Sequence, residues 1–233
     1  TELAEATTGE TDTLASIDSI EIDFGSGSDT VDASAFSGDV DLDGNDGDDV
    51  LTAGAGFAFL DGDDGDDTLT AGDGGSTLRG EEGNDTLTGG DGFDRGYVDF
   101  FSVDEANVTV TDTEASDADA GVVNTLSDLE EINVDTGSGN DVVDASAFSG
   151  EVDLDGNAGD DVLTGGADFA RLDGDDGDDT LTAGDGGSNL FGDEGNDVLT
   201  GGDGFDFGFV SFFSVDEANV TVTDTEASDA DAG

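Results

Sequence analysis

Asp49, Asp67 and Asp85 stand eighteen residues apart, and Asp161, Asp179 and Asp197 repeat that spacing further along the chain. Each lies two residues ahead of a leucine in a series of strict period nine: Leu51, Leu60, Leu69, Leu78 and Leu87, then Leu163, Leu172, Leu181, Leu190 and Leu199. With the leucine numbered eight, position six reads Asp49, Ala58, Asp67, Ser76, Asp85 and Asp94 in the first series. In the second it reads Asp161, Ala170, Asp179, Ser188, Asp197 and Asp206. The donors on offer are carboxylates and the carbonyls that nearby glycines bring close. An oxygen-only, multidentate donor set suits Ca2+; Mg2+ asks for a smaller octahedron with waters, and Zn2+ for His or Cys. The chain has neither His nor Cys.

Positioning such donors needs a backbone of matching period. A strict nine with glycine at fixed offsets fits neither a helix nor a coiled coil. It fits a short strand around the leucine followed by a glycine-rich turn. A longer period encloses the short one: Thr125–Gly233 repeats Thr13–Gly121 at an offset of 112, and Phe100–Gly121 is identical to Phe212–Gly233. The chain therefore divides into units 1–112 and 113–224, with 225–233 starting a third, as a piece of a longer tandem array would. It begins at Thr1 with no signal-like segment, as an excised or mature piece would.

Composition narrows the function. The 233 residues carry 62 acids against three arginines, a net charge of −59. Nucleic acid, which needs a basic surface, is excluded as a partner. No apolar run approaches the ~20 residues of a membrane span. The usual general bases His and Lys are absent. Composition alone suggests disorder, but the periodicity overrules it.

The lines GNDGDDVLT, GDDGDDTLT and GEEGNDTLT resemble the nonapeptide GGxGxDxUx of RTX, or haemolysin-type, calcium-binding repeats. The resemblance covers roughly 44–97 and 156–209, with looser matches at Gly25-Ser-Gly-Ser-Asp29 and Gly137-Ser-Gly-Asn-Asp141. It implies an all-β fold: right-handed parallel β-roll units in tandem, with two nonapeptides per eighteen-residue coil and glycine turns stacked along two edges. Tyr97–Val103 and Val108–Asp112 read as a β-hairpin capping each roll, with 113–124 an acidic linker beyond it. Leu126–Ile132 reads as a helical turn or a capping strand. The segment from Val31 to Leu42 exceeds the nine-residue step by two and implies a wider first coil.

Carried over residue by residue, the resemblance makes Asp49, Asp67, Asp85, Asp161, Asp179 and Asp197 side-chain ligands of several Ca2+ ions per unit, with Asp29 and Asp141 beginning each column. Ala58, Ser76, Ala170 and Ser188 depart from the motif on the second edge. There Asp94 and Asp206 match it without an Asp-bearing neighbour. Strands stacked ~4.8 Å apart place like charges that repel by roughly 3.5 kcal/mol at an effective dielectric of ~20, so a column of aspartates requires a cation. A halophile surface, screened over ~3 Å in molar salt, accounts for the abundance of acids but not for their phase.

A second pattern exchanges arginine for phenylalanine between the copies: Arg79 with Phe191, Arg95 with Phe207, Arg171 with Phe59. Outward positions gather Phe59, Arg79, Arg95 and Tyr97 on one sheet face, and Arg171, Phe191, Phe207 and Phe209 on its counterpart. Such a face suits self-association between units or chains, or local cover with Arg79 paired to Asp61. Outward Thr52, Thr68, Thr70, Thr86 and Thr88 reflect β-propensity or, in a sharper reading, an ice-binding array. No catalytic constellation stands out among so many acids. The expectation is an extracellular calcium-binding structural protein of a filament, surface layer or matrix. The alternatives are an adhesin spacer or the calcium-binding tail of a secreted enzyme.

Overall fold

The computed structural model describes residues 2–4, 11–13, 16–103 and 105–211. They are all strand and turn, with no helix, and wind into a parallel β-solenoid of about eleven turns. One sheet has eleven strands: Thr30–Asp32, Val50–Thr52, Thr68–Thr70, Thr86–Thr88, Val122–Ser127, Glu114–Asp117, Asn107–Thr111, Val142–Ala147, Val162–Thr164, Thr180–Thr182 and Val198–Thr200, in spatial order. The other has ten: Ser19–Asp23, Asp39–Asp43, Ala58–Asp61, Ser76–Arg79, Asp94–Phe100, Glu131–Thr136, Glu151–Asp155, Ala170–Asp173, Ser188–Glu194 and Asp206–Ser211. Glu2–Ala4 and Thr11–Thr13 form a separate antiparallel pair.

The period-nine leucines build the core. Leu51, Leu69 and Leu87 stack on one sheet and Leu60 and Leu78 on the other, each with no exposure. Alternation along each strand sends the flanking residues outward. Register partners are eighteen residues apart on most coils, as in Leu42 against Leu60. The first coil of each unit is wider: Ile20 pairs with Val40 and Ile132 with Val152, twenty residues apart. The extra residues let Phe36 and Phe148 fold inward, 8% and 2% exposed.

The expected hairpin cap takes a different form. Tyr97–Val103 and Val108–Asp112 do not pair with each other. The first continues the ten-stranded sheet, since Val98 and Phe100 alternate inward in the strand Asp94–Phe100, which is parallel to both neighbours. Asn107–Thr111 instead runs antiparallel to Glu114–Asp117, which runs antiparallel to Val122–Ser127. Two reversals restore the original direction, so Val122–Ser127 is parallel to Thr86–Thr88 and Asn107–Thr111 to Val142–Ala147. The strands expected to cap the first roll thus join it to the second. The segment 113–124, read as a linker, supplies the middle strand because Ala115 and Asp117 alternate inward. Leu126 lies in the strand Val122–Ser127, and the chain turns at Asp128 (φ 54°) into Glu131–Thr136; no helical turn forms. The second unit's hairpin segment and the start of the third unit lie outside the described residues, but for the strand Asp206–Ser211.

The coils are close enough for glycine to be obligatory at particular places. Gly65 has φ +155°, and a Cβ there would collide with the Gly47 carbonyl of the preceding coil. Gly25 has an unstrained backbone and no atom within 4 Å of such a Cβ. Gly65→Ala should therefore destabilise the calcium-loaded protein by more than about 3 kcal/mol, and Gly25→Ala by less than about 0.5 kcal/mol, measured by urea unfolding.

Candidate metal centre

Position six lies where the glycine turn enters the eleven-stranded sheet, and its aspartates form a ladder on one rim. The backbone N–H of Asp29 donates to Asp49 Oδ1 at 2.6 Å, that of Asp49 to Asp67 Oδ1 at 2.7 Å, and that of Asp67 to Asp85 Oδ1 at 2.9 Å. Asp141, Asp161 and Asp179 donate in the same way to Asp161, Asp179 and Asp197 at 2.7, 2.8 and 3.2 Å. The chain thus brings together eight of the aspartates expected as ligands, in two runs. Both ends of the gap between the runs were missed by the sequence reading. Asn124 Oδ1 accepts from Asp85 N–H at 2.7 Å, and Ala106 N–H donates to Asp141 Oδ1 at 2.6 Å. Each lies two residues ahead of an inward side chain, Leu126 or Val108, so the six–eight spacing was the signal that could have found them.

The second carboxylate oxygen decides the chemistry. Oδ2 of Asp49, Asp67, Asp85, Asp141, Asp161 and Asp179 is buried and meets no hydrogen-bond partner. Those six residues are at most 1% exposed. Burial, with neighbouring carboxylates adding to it, raises Asp67 and Asp179 to about 6, Asp161 to about 7 and Asp85 to about 8. Asp49 and Asp197 are raised for the same reason. The motif's first glycine makes room for this oxygen: a Cβ on Gly62 would overlap Asp67 Oδ2. A buried, partnerless oxygen repeated coil after coil, beside stacked peptide carbonyls, fits a hard cation. Ca2+ held there would supply positive charge between the rungs; the aspartate Oδ2 atoms and turn carbonyls are the groups to hold it.

Two other sets of acids are satisfied by the protein itself. On the opposite edge Asp94 Oδ1 accepts from the Ser76 hydroxyl at 2.6 Å and Oδ2 from Gly90 N–H at 2.8 Å, so neither oxygen is left over. Asp206 accepts from Ser188 at 2.7 Å. Position five, whose acids stand beside the column in the sequence, forms an exposed ladder of opposite sense. Asp48 Oδ1 accepts from Asp66 N–H at 3.1 Å, and Asp66 Oδ1 from Asn84 N–H at 3.0 Å.

The arginines and aromatics lie on the outward face of the ten-stranded sheet, both copies on the same sheet. Arg79 stacks between Phe59 and Tyr97, at 5.2 and 5.0 Å from their ring centres, and makes no ion pair with Asp61. Arg95 pairs with Glu131 at 2.6 Å and stands over Phe93 at 5.9 Å. Arg171 pairs with Asp153 at 2.9 Å and with Asp173, and stands over Phe191, 5.1 Å from its ring centre. Phe191 in turn packs against Phe207 and Phe209 at 6.4 and 6.2 Å. Phe207 and Phe209 remain exposed.

Raised carboxyl values set the sign of the pH response. Without calcium, the contribution of these groups is intact below the ordinary value of 3.8 and is lost as pH rises through about 6, 7 and 8, a tenfold change in proton affinity being worth ~1.4 kcal/mol. Circular dichroism of the chelated protein should lose strand signal as pH rises from about 4 to about 9; with calcium the slope should reverse, because protons compete with the ion. Asp67→Asn keeps the acceptor for Asp49 N–H and removes a buried charge. It should stabilise the calcium-free fold and weaken calcium binding, as read by thermal melts and titration calorimetry.

No curated protein matches the chain. The profile of the RTX calcium-binding nonapeptide repeat matches it in four copies, at residues 25–60, 61–95, 153–168 and 173–207, just over half of its length. Both columns of partnerless aspartates lie largely inside those segments. The chain belongs to the RTX calcium-binding nonapeptide-repeat family, with its two runs of repeats wound into one β-solenoid.

Proposed function

We propose that this protein is an extracellular structural segment that calcium converts from a self-repelling acidic chain into a rigid β-roll. The observation that carries the reading is the file of buried carboxylate oxygens without protein partners. A chain with one uncompensated negative charge per four residues cannot gather them unaided, and a ligand that binds only the folded state supplies the missing stability. Calcium sites of extracellular modules work at about 10⁻⁴–10⁻³ M, so secretion would itself trigger folding. The role is structural rather than catalytic.

Array formation is the second half of the reading. Val198–Thr200 and Asp206–Ser211 stand, at the offset of 112, where Thr86–Thr88 and Asp94–Phe100 stand in the first unit. The edges of those earlier strands receive Val122–Ser127 and Glu131–Thr136 from the next unit. A further unit of the same sequence has the same edges to join, which favours a filament, surface layer or matrix of stacked units. Exposed Phe207 and Phe209, beside the arginine-bearing face, offer lateral contacts.

Circular dichroism at low salt and neutral pH should show the strand spectrum with calcium and its loss on chelation. A strand spectrum that survives chelation overturns the calcium-driven fold, and survival only in molar NaCl assigns the compensation to screening. Electron microscopy of the calcium-loaded chain should show filaments or sheets. Discrete particles at every concentration would remove self-association and leave the calcium role standing.

A further inference from the structure

A second file of carboxylates runs outside the rim, on the outward side of the ten-stranded sheet where its strands end. Asp23, Asp43 and Asp61 are register partners on successive strands, as are Asp99, Asp135, Asp155 and Asp173. In the turn that follows, position two is left-handed on coil after coil: Asn45, Asp63 and Glu81 at φ 63°, 61° and 60°, and Asn157, Asp175 and Asp193 at 60°, 59° and 47°.

On the first coil of each series this residue is asparagine, and its amide is a wedge of donors. Asn45 Nδ2 donates to Asp23 Oδ1 at 3.0 Å, Asp43 Oδ1 at 2.9 Å and the Phe24 carbonyl at 2.9 Å. Asn157 Nδ2 donates to Asp135 Oδ1 at 2.5 Å and the Thr136 carbonyl at 2.6 Å. On the next coil Asp63 and Asp175 hold the same backbone conformation with a carboxylate, which accepts only. The donor is gone while the acids around it remain.

The oxygens that lose a donor can be identified. Asp61 Oδ1 and Asp173 Oδ1, at equivalent places in the two units, are both buried without a partner. Asp173 is only 8% exposed. Arg171 engages its Oδ2 alone, one guanidinium beside Asp155, Asp173, Asp175 and Asp193. One oxygen each from Asp173, Asp175 and Asp193 lie within 4.8 Å of one another. Burial first, then the neighbouring acids, raises Asp61 to about 7 and Asp173 to about 6, although Arg79 and Arg171 pull the other way.

We propose that Asp173, Asp175 and Asp193 form a further divalent-cation site, in which a calcium-class ion takes the place that the N–H groups of Asn157 hold one coil earlier. None of the three residues is at position six, so this site shares no side-chain ligand with the rim. The all-oxygen donor set selects a hard cation.

The test is the calcium count per chain, by equilibrium dialysis and elemental analysis well above neutral pH. Asp175→Asn should bind one ion fewer and keep the strand spectrum, because asparagine already occupies that conformation one coil earlier at Asn157. Equal counts in wild type and this variant overturn the proposal. Asp179→Asn, which touches only the rim, and the wild-type count itself report separately on the functional reading: a wild-type chain that binds no calcium defeats that reading, whereas an unchanged count in Asp175→Asn defeats only this one.

Discussion

Six rim aspartates of this solenoid each hide one carboxylate oxygen that the polypeptide does not satisfy. Oδ1 of the rim aspartate is spent on the N–H of the neighbouring coil, which sets the register of the stack. Oδ2 points where water is excluded and no donor waits. The coils cannot close without concentrating charge, and these oxygens come together only when the coils close. Acidity as such is not the cause. Asp117 is equally buried, and burial pushes it up, yet the N–H groups of Ala120, Asn107 and Asp119 together hold it below the ordinary value. Asp94 is buried with both oxygens bonded to Ser76 and Gly90. The same side chain is fully hydrogen-bonded in one place and left with a partnerless oxygen in another, according to how many donors reach it.

The rest of the repeat follows from that oxygen and from the narrowness of the roll. Glycine at position one leaves the space that Oδ2 occupies, and glycine at position four lets adjacent turns touch backbone to backbone. What remains for a core in the nonapeptide coils is one leucine per strand, a thin file of apolar side chains in which each coil contacts only its neighbours. So thin a core leaves little to offset the ordering of a glycine-rich chain.

Legibility in the sequence divides along the same line. Leu69 and Asp67 were readable because their period is set by the coil itself, and the two-residue excess after Val31 was readable as a departure from it. The antiparallel insertion was not. Val108 and Val110 carry an alternating pattern that a capping hairpin and a sheet-joining strand share, and only the partner decides between them. The site was legible at position six and illegible at its margins. Asn124 and Ala106 occupy the same step ahead of an inward residue but lack the carboxylate that draws the eye. Arg79 was expected either to serve self-association between units or chains or to pair with Asp61 in local cover; its position between two rings follows from Phe59 and Tyr97 flanking it on the outward face of adjacent strands, which a repeat diagram does not weigh.

The insertion has an electrostatic consequence for the whole solenoid. Coil-by-coil stacking would carry one column of aspartates through both units and accumulate repulsion along its length. At the junction the step after Asp85 is Asn124, neutral, and the step before Asp141 is Ala106. Asp117, the buried acid of the middle strand, is already held by backbone donors. The ladder of hydrogen bonds is therefore continued at both ends of the gap by groups that add no charge, and each unit's column ends without a bare carboxylate facing the next. Repetition of the 112-residue unit can then lengthen the solenoid while the charge of each column stays local to it.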